Sequence, residues 1–197
     1  MKIVHVTSVH TPLDRRIFWK QAISCKNANH EVHLIVASNQ QKSGLIDGVH
    51  IHVLKKIENR STRVFINGFR VFVKTLSIKA NVFHFHDPEL IPWFLLLKFS
   101  GRHVVMDVHE DYPAQIKGKK WLQPFFRQIL SYFIFLLENI ATKIFDGIVV
   151  ADSLLADSFK VKSTKTPIIV ANNYPLINQN ISKINITLEK YTSNRIL

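Results

Sequence analysis

Two short stretches hold most of the groups that could do chemistry. The first, His84-Phe85-His86-Asp87-Pro88-Glu89, brings two imidazoles and two carboxylates together. Residues two apart on a strand share a face. His84 and His86 can therefore form a metal pair or grip a substrate. The alternative is that His84 is a packed, hydrogen-bonded histidine and only His86 reaches a ligand. The second stretch is Asp107-Val108-His109-Glu110-Asp111. There Asp107 can orient His109, whose imidazole can hydrogen-bond a hydroxyl or a phosphate. The same groups can also serve as caps and loop braces, with Glu110 a candidate cap for the next helix. Histidines at i and i+2 beside carboxylates also suit zinc. A metal-dependent hydrolase using His84, His86 and His109 is thus one reading. No third or fourth ligand has a recognisable spacing, and no metal is expected. His50 and His52 repeat the spacing without a carboxylate and read as structural.

A third cluster lies near the N-terminus. His10 precedes Asp14-Arg15-Arg16, which opens a helix. Arginine at a helix N-terminus near a ligand crevice suits an anion; an aspartate cap followed by solvated arginines is the alternative. Further on, Lys119, Lys120, Trp121, Phe125 and Arg127 set basic residues among aromatics. That combination suits contact with an anionic membrane surface. The run from Ile129 to Leu137 reads as a buried helix covering a sheet.

These groups need elements to place them. Apolar, β-branched runs predict strands over 2–7, 31–37, 49–54, 81–86, 103–108, 147–151 and 167–171. Between them, helices are predicted near 14–28, 62–80, 88–100, 119–143 and 153–159. Val4–Val6 and Leu34–Ala37 are apolar on both faces, the mark of a parallel sheet covered on each side. Such alternation means a Rossmann-like, doubly wound α/β sheet in one domain over residues 1–175. Gly44 and Gly48 bracket the turn into the third predicted strand, Pro88 opens a helix, and Asp152 with Ser153 caps another. In an open sheet of this kind, ligands bind beyond the carboxyl ends of the strands. His10, His86, Asp87, Glu89, Asp107, His109 and Glu110 all follow such ends.

Composition narrows the classes. The 197 residues are 47% hydrophobic and 20% charged, as in folded globular proteins. Lysine and arginine number 26 against 14 aspartates and glutamates, giving +12. That excess favours a polyanionic or phosphorylated partner. The basic residues form no long run, and no zinc-finger, RNA-recognition or basic-heptad pattern occurs, so nucleic acid is not expected. G-x-S-x-G, P-loop and G-x-G-x-x-G motifs are absent. The single cysteine, Cys25, allows no internal disulfide and fits a reducing, cytoplasmic setting. No signal peptide precedes Ile3-Val4-His5-Val6, and no apolar run reaches the roughly 18 residues of a membrane span.

The order and spacing of several segments resemble bacterial family-four retaining glycosyltransferases. They are Lys2-Ile3-Val4-His5-Val6-Thr7, Pro12-x-Asp14-x-Arg16-Ile17-Phe18, Asn29-His30-Glu31-Val32 and His86-Asp87-Pro88-Glu89-Leu90. Asp107-x-His109-Glu110, Glu138 with Asp146-Gly147-Ile148-Val149-Val150-Ala151-Asp152-Ser153, and Asn172-Asn173-Tyr174-Pro175 complete the set. The resemblance implies the N-terminal half of a GT-B architecture, two Rossmann-like domains facing across a cleft. It implies that His109 reaches the donor sugar near the reacting centre. His86, Asp87 and Glu89 would line the acceptor side, with His10, Asp107 and Glu110 nearby, and Arg16 would sit beside donor phosphates or an acceptor anion. No cofactor is implied beyond a nucleotide-sugar donor. The first loop, Val9-His10-Thr11-Pro12, lacks the glycines many relatives use against a diphosphate. Residues 176–197 read as a linker and the truncated start of a nucleotide-sugar domain that the chain lacks. The expectation is a domain inactive alone, working on a lipid-linked or polysaccharide precursor at the inner membrane face. The rival expectation is a non-catalytic binding or assembly module for an anionic membrane or a partner chain.

Overall fold

The computed structural model describes residues 1–39, 42–57, 60–163 and 165–174. The predicted linker after residue 175 lies outside them. Eight strands form one sheet: β1 (Lys2–Thr7), β2 (Glu31–Ala37), β3 (Gly44–Ile46), β4 (Val49–Leu54), β5 (Val82–Phe85), β6 (His103–Val108), β7 (Gly147–Val150) and β8 (Ile168–Val170). Their order is β3-β4-β2-β1-β5-β6-β7-β8. All neighbours run parallel except β3, which pairs antiparallel with β4. The chain therefore winds outward from β1 in one direction, returns, and winds outward from β5 in the other. This is the Rossmann-like, doubly wound arrangement that the apolar strands predict, with its switch point between β1 and β5.

The two faces of the sheet differ. Val4, Val6, Phe83, Phe85, Met106 and Ile148 point to one face. They are covered by α2 (Arg60–Leu76), α3 (Ile91–Phe99), α5 (Pro124–Ile144) and α6 (Ser153–Lys162). On the other face, Val32, Leu34, Val36, Val49 and Ile51 of β2 and β4 meet Ile17, Phe18 and Ala22 of the first helical segment. The register continues this second face across the switch. Leu34 lies beside His5, His5 beside His84, and His84 beside Val105. One layer further on come Thr7, His86 and Asp107. The second face is thus apolar under β2 and β4 and polar under β1, β5 and β6.

Several local features depart from the predicted elements. Residues 14–28 form a π-helical segment, Arg15–Ala22, that passes into a short α1 (Ile23–Asn27). The short strand β3 is unpredicted because Gly44-Leu45-Ile46 has no apolar alternation to reveal it. It returns to β4 through Asp47 (φ 47°) and Gly48 (φ 81°), the Asp-Gly pairing that a tight hairpin needs. The predicted helix over 119–143 is α5, which begins later, at Pro124, and an unpredicted short helix, α4 (Tyr112–Lys117), precedes it. Asp111 rather than Glu110 caps α4, its carboxylate accepting from the Ala114 N–H at 2.9 Å.

The expectation that Ile129 to Leu137 is buried against the sheet is overturned. The buried residues of α5 are Ser131, Glu138, Ala141 and Thr142. Ile129, Leu130, Phe133, Phe135 and Leu136 are exposed. The inward side carries Ser131, whose Oγ donates to the Pro113 carbonyl of α4 at 2.9 Å, and Glu138, which accepts from Lys162 of α6 at 2.7 Å, with Leu137 half-buried against the core.

Candidate functional site

Polar groups gather at the switch point around two carboxylates. Asp87 follows β5 and reaches the end of β1. Its Oδ2 accepts from Thr7 Oγ1 at 2.7 Å, the Ser8 N–H at 2.6 Å and the Val9 N–H at 3.3 Å. In other α/β folds such loop amides face a phosphate. Here Asp87 already occupies them, which explains how a loop without glycine is held. Ser8 Oγ donates to Glu89 Oε1 at 2.9 Å, so the loop is tied to both acidic residues of the His86–Glu89 stretch.

His10 stands over this loop, at 3.3 Å from Asp87 and 3.4 Å from Asp14. Burial alone would lower its pKa. The contact with Asp14 and the charges of Asp87 and Glu89 outweigh that and raise it. Asp14 caps the π-helical segment, its Oδ1 accepting from the N–H groups of Arg16 and Ile17 at 2.8 and 2.9 Å. Burial opposes its ionisation, yet His10 and those amides hold its carboxyl well below the ordinary value.

Asp107 is the second centre, and it is buried. Arg16 grips it with both edges of the guanidinium: Nε donates to Oδ2 at 3.0 Å and Nη2 to Oδ1 at 2.7 Å. Gln21 Nε2 donates to Oδ2 at 2.7 Å, and His86 Nδ1 at 3.0 Å. His109 Nε2 lies 3.1 Å away but off the line of a hydrogen bond, and has no other partner. Burial pushes the Asp107 pKa up; the contacts with His109, His86 and Arg16 prevail and hold it well below the carboxylate range. Arg16 and Gln21 are five residues apart. An α-helix would turn them away from each other, whereas the wider π turn, seen in the Trp19 N–H to Asp14 carbonyl bond of 3.2 Å, sets both over one carboxylate.

The expected site residues therefore separate by depth. His10, Glu89, His109 and Glu110 retain exposure. Asp87 is buried beneath the first loop. Arg16, expected beside a phosphate, is only 4% exposed. Its third nitrogen, Nη1, donates to the Ala171 carbonyl at 2.6 Å. His86, expected to line the acceptor side, is fully buried beneath His109, and Asp107 is buried with it. Both sit under the crevice wall because the π-helical segment closes over the ends of β1 and β6. Glu110 turns outward to Gln115. His10 and His109 stack at 5.3 Å between ring centroids, forming the exposed lip of the site.

Four further residues join the site. They are Ser8, Gln21, Lys56, whose Nζ donates to the Val9 carbonyl at 3.2 Å, and Tyr112, whose hydroxyl lies 3.4 Å from the His86 carbonyl. Burial, then the charges of Asp87 and Asp107, raise the Tyr112 pKa well above its ordinary value. Ser8 and Tyr112 follow strand ends, whereas Gln21 and Lys56 were not anticipated, carry no motif and reach the site only through tertiary packing. Two groups have metal-ligating atoms close together among the described residues: His5, His84 and His86, and His86, Asp107 and His109. His84, His86 and His109 do not form one such group.

The basic and aromatic residues of 119–127 lie apart from this edge. Trp121 is 66% exposed and Phe125 68%. Lys120 is exposed, while Lys119 and Arg127 are half-buried. No described helix is long and apolar enough to cross a membrane.

Comparison with known proteins identifies the fold. No protein-family profile and no curated protein matches the chain. Solved structures do match. Sucrose-phosphate synthase from Thermosynechococcus elongatus aligns with a TM-score of 0.62 at 9% identity, over 87% of this chain and 47% of that one. UGT2 from Phytolacca americana, in its apo form, gives 0.57 at 10% identity, over 92% and 53%. Os79 from O. sativa, in complex with UDP, gives 0.51 at 9% identity, over 90% and 52%. The fold is that of a GT-B Rossmann-like domain. The chain spans about half the length of the structures it matches.

Proposed function

We propose that this chain is the acceptor-binding domain of a sugar-nucleotide-dependent retaining glycosyltransferase. The observation that carries the reading is the convergence of His10, His109 and Glu89 at the switch point, fixed from below by Asp87 and Asp107. Such an edge forms one wall of a cleft. A second domain, holding the nucleotide-sugar, would form the other. His109, 3.1 Å from the buried charge of Asp107, would meet the donor sugar. His10, Glu89 and Glu110 would hold acceptor hydroxyls, and Asp87 would keep the first loop in place. Most of the positive charge that stabilises the departing nucleotide diphosphate would come from the second domain. The chain alone is therefore expected to turn over no donor. Radiolabelled sugar transfer by the purified 197-residue chain, with no other protein added, would overturn this reading. With a nucleotide-sugar-binding domain supplied in trans or in cis, His109→Ala should remove most transfer while leaving acceptor binding intact.

A second observation bears on the acceptor. The outer face of α5 exposes Phe125, Phe126, Ile129, Leu130 and Phe133, and Lys119, Lys120 and Arg127 lie at its start. We propose that this face rests on an anionic membrane, at the cytoplasmic surface, where a lipid-linked precursor would be met. Co-sedimentation with vesicles tests it: binding to anionic vesicles and little to neutral ones is expected, and equal or no binding overturns it.

A further inference from the structure

We propose that His5, His84 and His86 form a site for a divalent first-row transition ion, with zinc the best match, set into the sheet beneath the crevice. The proposal is independent of the transferase reading. It rests on two side chains from adjacent central strands and a third just past the end of one of them. His5 of β1 lies directly beside His84 of β5, and His86 follows one layer further along the same face. All three side chains are buried, and one ligating nitrogen from each lies within 4.8 Å of the others.

Hydrogen bonding leaves this cluster incomplete. Asp107 is ionised and can only accept, so His86 Nδ1 carries the proton of their 3.0 Å contact. His86 Nε2 is then a bare lone pair, 3.1 Å from His5 Nδ1. That separation suits a hydrogen bond, and two nitrogens sharing one tetrahedral ion, each about 2.0–2.1 Å from it, lie only slightly further apart. His5 Nε2, buried and without a hydrogen-bond partner among the described residues, is left so in either account, and the distinguishing atom is on His84. His84 Nε2 is also buried and unpartnered. Unsatisfied buried polar atoms are rare in folded proteins and call for an explanation. A cation among the three rings supplies one.

The surroundings fit the same account. Ligating histidines commonly give their other N–H to a carboxylate, which fixes the tautomer and strengthens the ligand. Asp107 does this for His86. The second metal-like group, His86 with Asp107 and His109, is the weaker candidate. There Asp107 is already committed to Arg16 and Gln21, so little lone-pair capacity remains. Three imidazoles without thiolate suit zinc, copper or nickel rather than magnesium or calcium. The enclosed position means that the ion would enter as the strands assemble.

The test uses the whole chain without a polyhistidine tag. Because the ion enters during folding, the chain is refolded from urea in the presence of zinc and a chromophoric chelator, and separately in the presence of cobalt(II) for its visible spectrum. One ion per chain, bound more tightly than about 10 µM, with a tetrahedral cobalt spectrum, is expected. His5→Gln and His84→Gln should each weaken binding at least about tenfold, the loss seen even for outer-shell changes. His33→Gln with His52→Gln, in the separate histidine stack of β2 and β4, should leave it unchanged, and so should His109→Ala. No binding, or binding lost only with His33 and His52 or with His109, overturns the proposal. If the His5 and His84 variants do not fold, imidazole nitrogen NMR of the unaltered chain decides. Zinc-dependent shifts at three buried histidines support the site; shifts confined to exposed histidines overturn it.

Discussion

The carboxyl edge of the sheet and the outer face of α5 invert the ordinary distribution of residues in opposite ways. At the edge, charged and polar side chains are buried: Arg16, His86, Asp87 and Asp107. On α5, large apolar side chains are exposed, while Ser131, Glu138 and Thr142 turn inward. Burying charge costs free energy unless each group is paired, and exposing a wide apolar face invites association. The edge answers its cost internally, through the Arg16–Asp107–His86 network. The face of α5 has no internal answer among the described residues. The first region is therefore organised for a ligand that meets a preformed wall, and the second for a surface that covers it.

Breaking the internal answer should give the largest effect. Asp107→Asn keeps the shape but removes the charge that Arg16, Gln21 and His86 share. It should lower unfolding stability by about 3–5 kcal/mol, read from urea denaturation. Replacing both partners, Arg16→Met with Asp107→Leu, should recover part of that loss, since no lone buried charge then remains. A loss under about 1 kcal/mol for Asp107→Asn would mean that the network is solvated and the contrast with α5 is false.

The same edge should make the fold acid-sensitive. Burial above all holds His5 and His84 to about 3 and, against the opposing pull of Asp107, His86 to about 4, from 6.5 in the unfolded chain. Between those values the unfolded chain binds more protons. Stability is then complete above about pH 6.5 and is lost as pH falls toward 4, by on the order of 1 kcal/mol per pH unit for each histidine. Asp107, held low, adds loss at still lower pH. His10, raised, acts in the opposite direction: its contribution is present below 6.5 and fades as pH rises through its folded value. Urea midpoints between pH 7 and 4.5, measured on metal-free protein, should show the slope, and His84→Gln should flatten it. A level profile would contradict the buried, neutral state of these rings.

Legibility in the sequence follows the same division. Seven strands announce themselves, because central parallel strands are apolar on both faces and a run such as Ile3-Val4-His5-Val6 needs no partner to be read. The register of His84 with His86, and of Asp107 with His109, also follows from the two-residue period. Depth does not. Whether His86 or Arg16 meets solvent depends on the π turn over Arg15–Ala22, and no α-helical pattern announces a turn that pairs Arg16 with Gln21. The α5 run misleads for a related reason. Ile129 to Leu137 is apolar nearly all round, so its pattern says that the residues avoid water, not which body covers them. Glu138, Ala141 and Thr142 carry the orientation, since they are among the buried residues of α5.

The two sides of α5 offer a smaller contrast. Ala141 is fully buried, and Ala141→Leu should overpack that contact at a cost of about 1–3 kcal/mol. Phe133→Ser, on the outer side, should change stability by less than about 0.5 kcal/mol. If the two substitutions cost the same, the outward orientation of the helix is wrong.

The smallest effect on stability belongs to the start of α5, and there the informative readout is elsewhere. Phe125→Ser with Phe126→Ser removes rings that touch little of the fold, so thermal unfolding should hardly move. Partitioning onto anionic vesicles should fall, because the lost area is what would enter the lipid boundary. Lys119→Ala with Lys120→Ala should act on the electrostatic half alone. Each lysine near an anionic surface is worth about 1 kcal/mol, so the pair should weaken binding by roughly ten- to thirtyfold, and more weakly as salt is raised. A protein that loses vesicle binding in both variants while its unfolding curve stays fixed has an apolar face kept for an external surface. If unfolding shifts instead, the face is part of the core, and the contrast with the carboxyl edge fails.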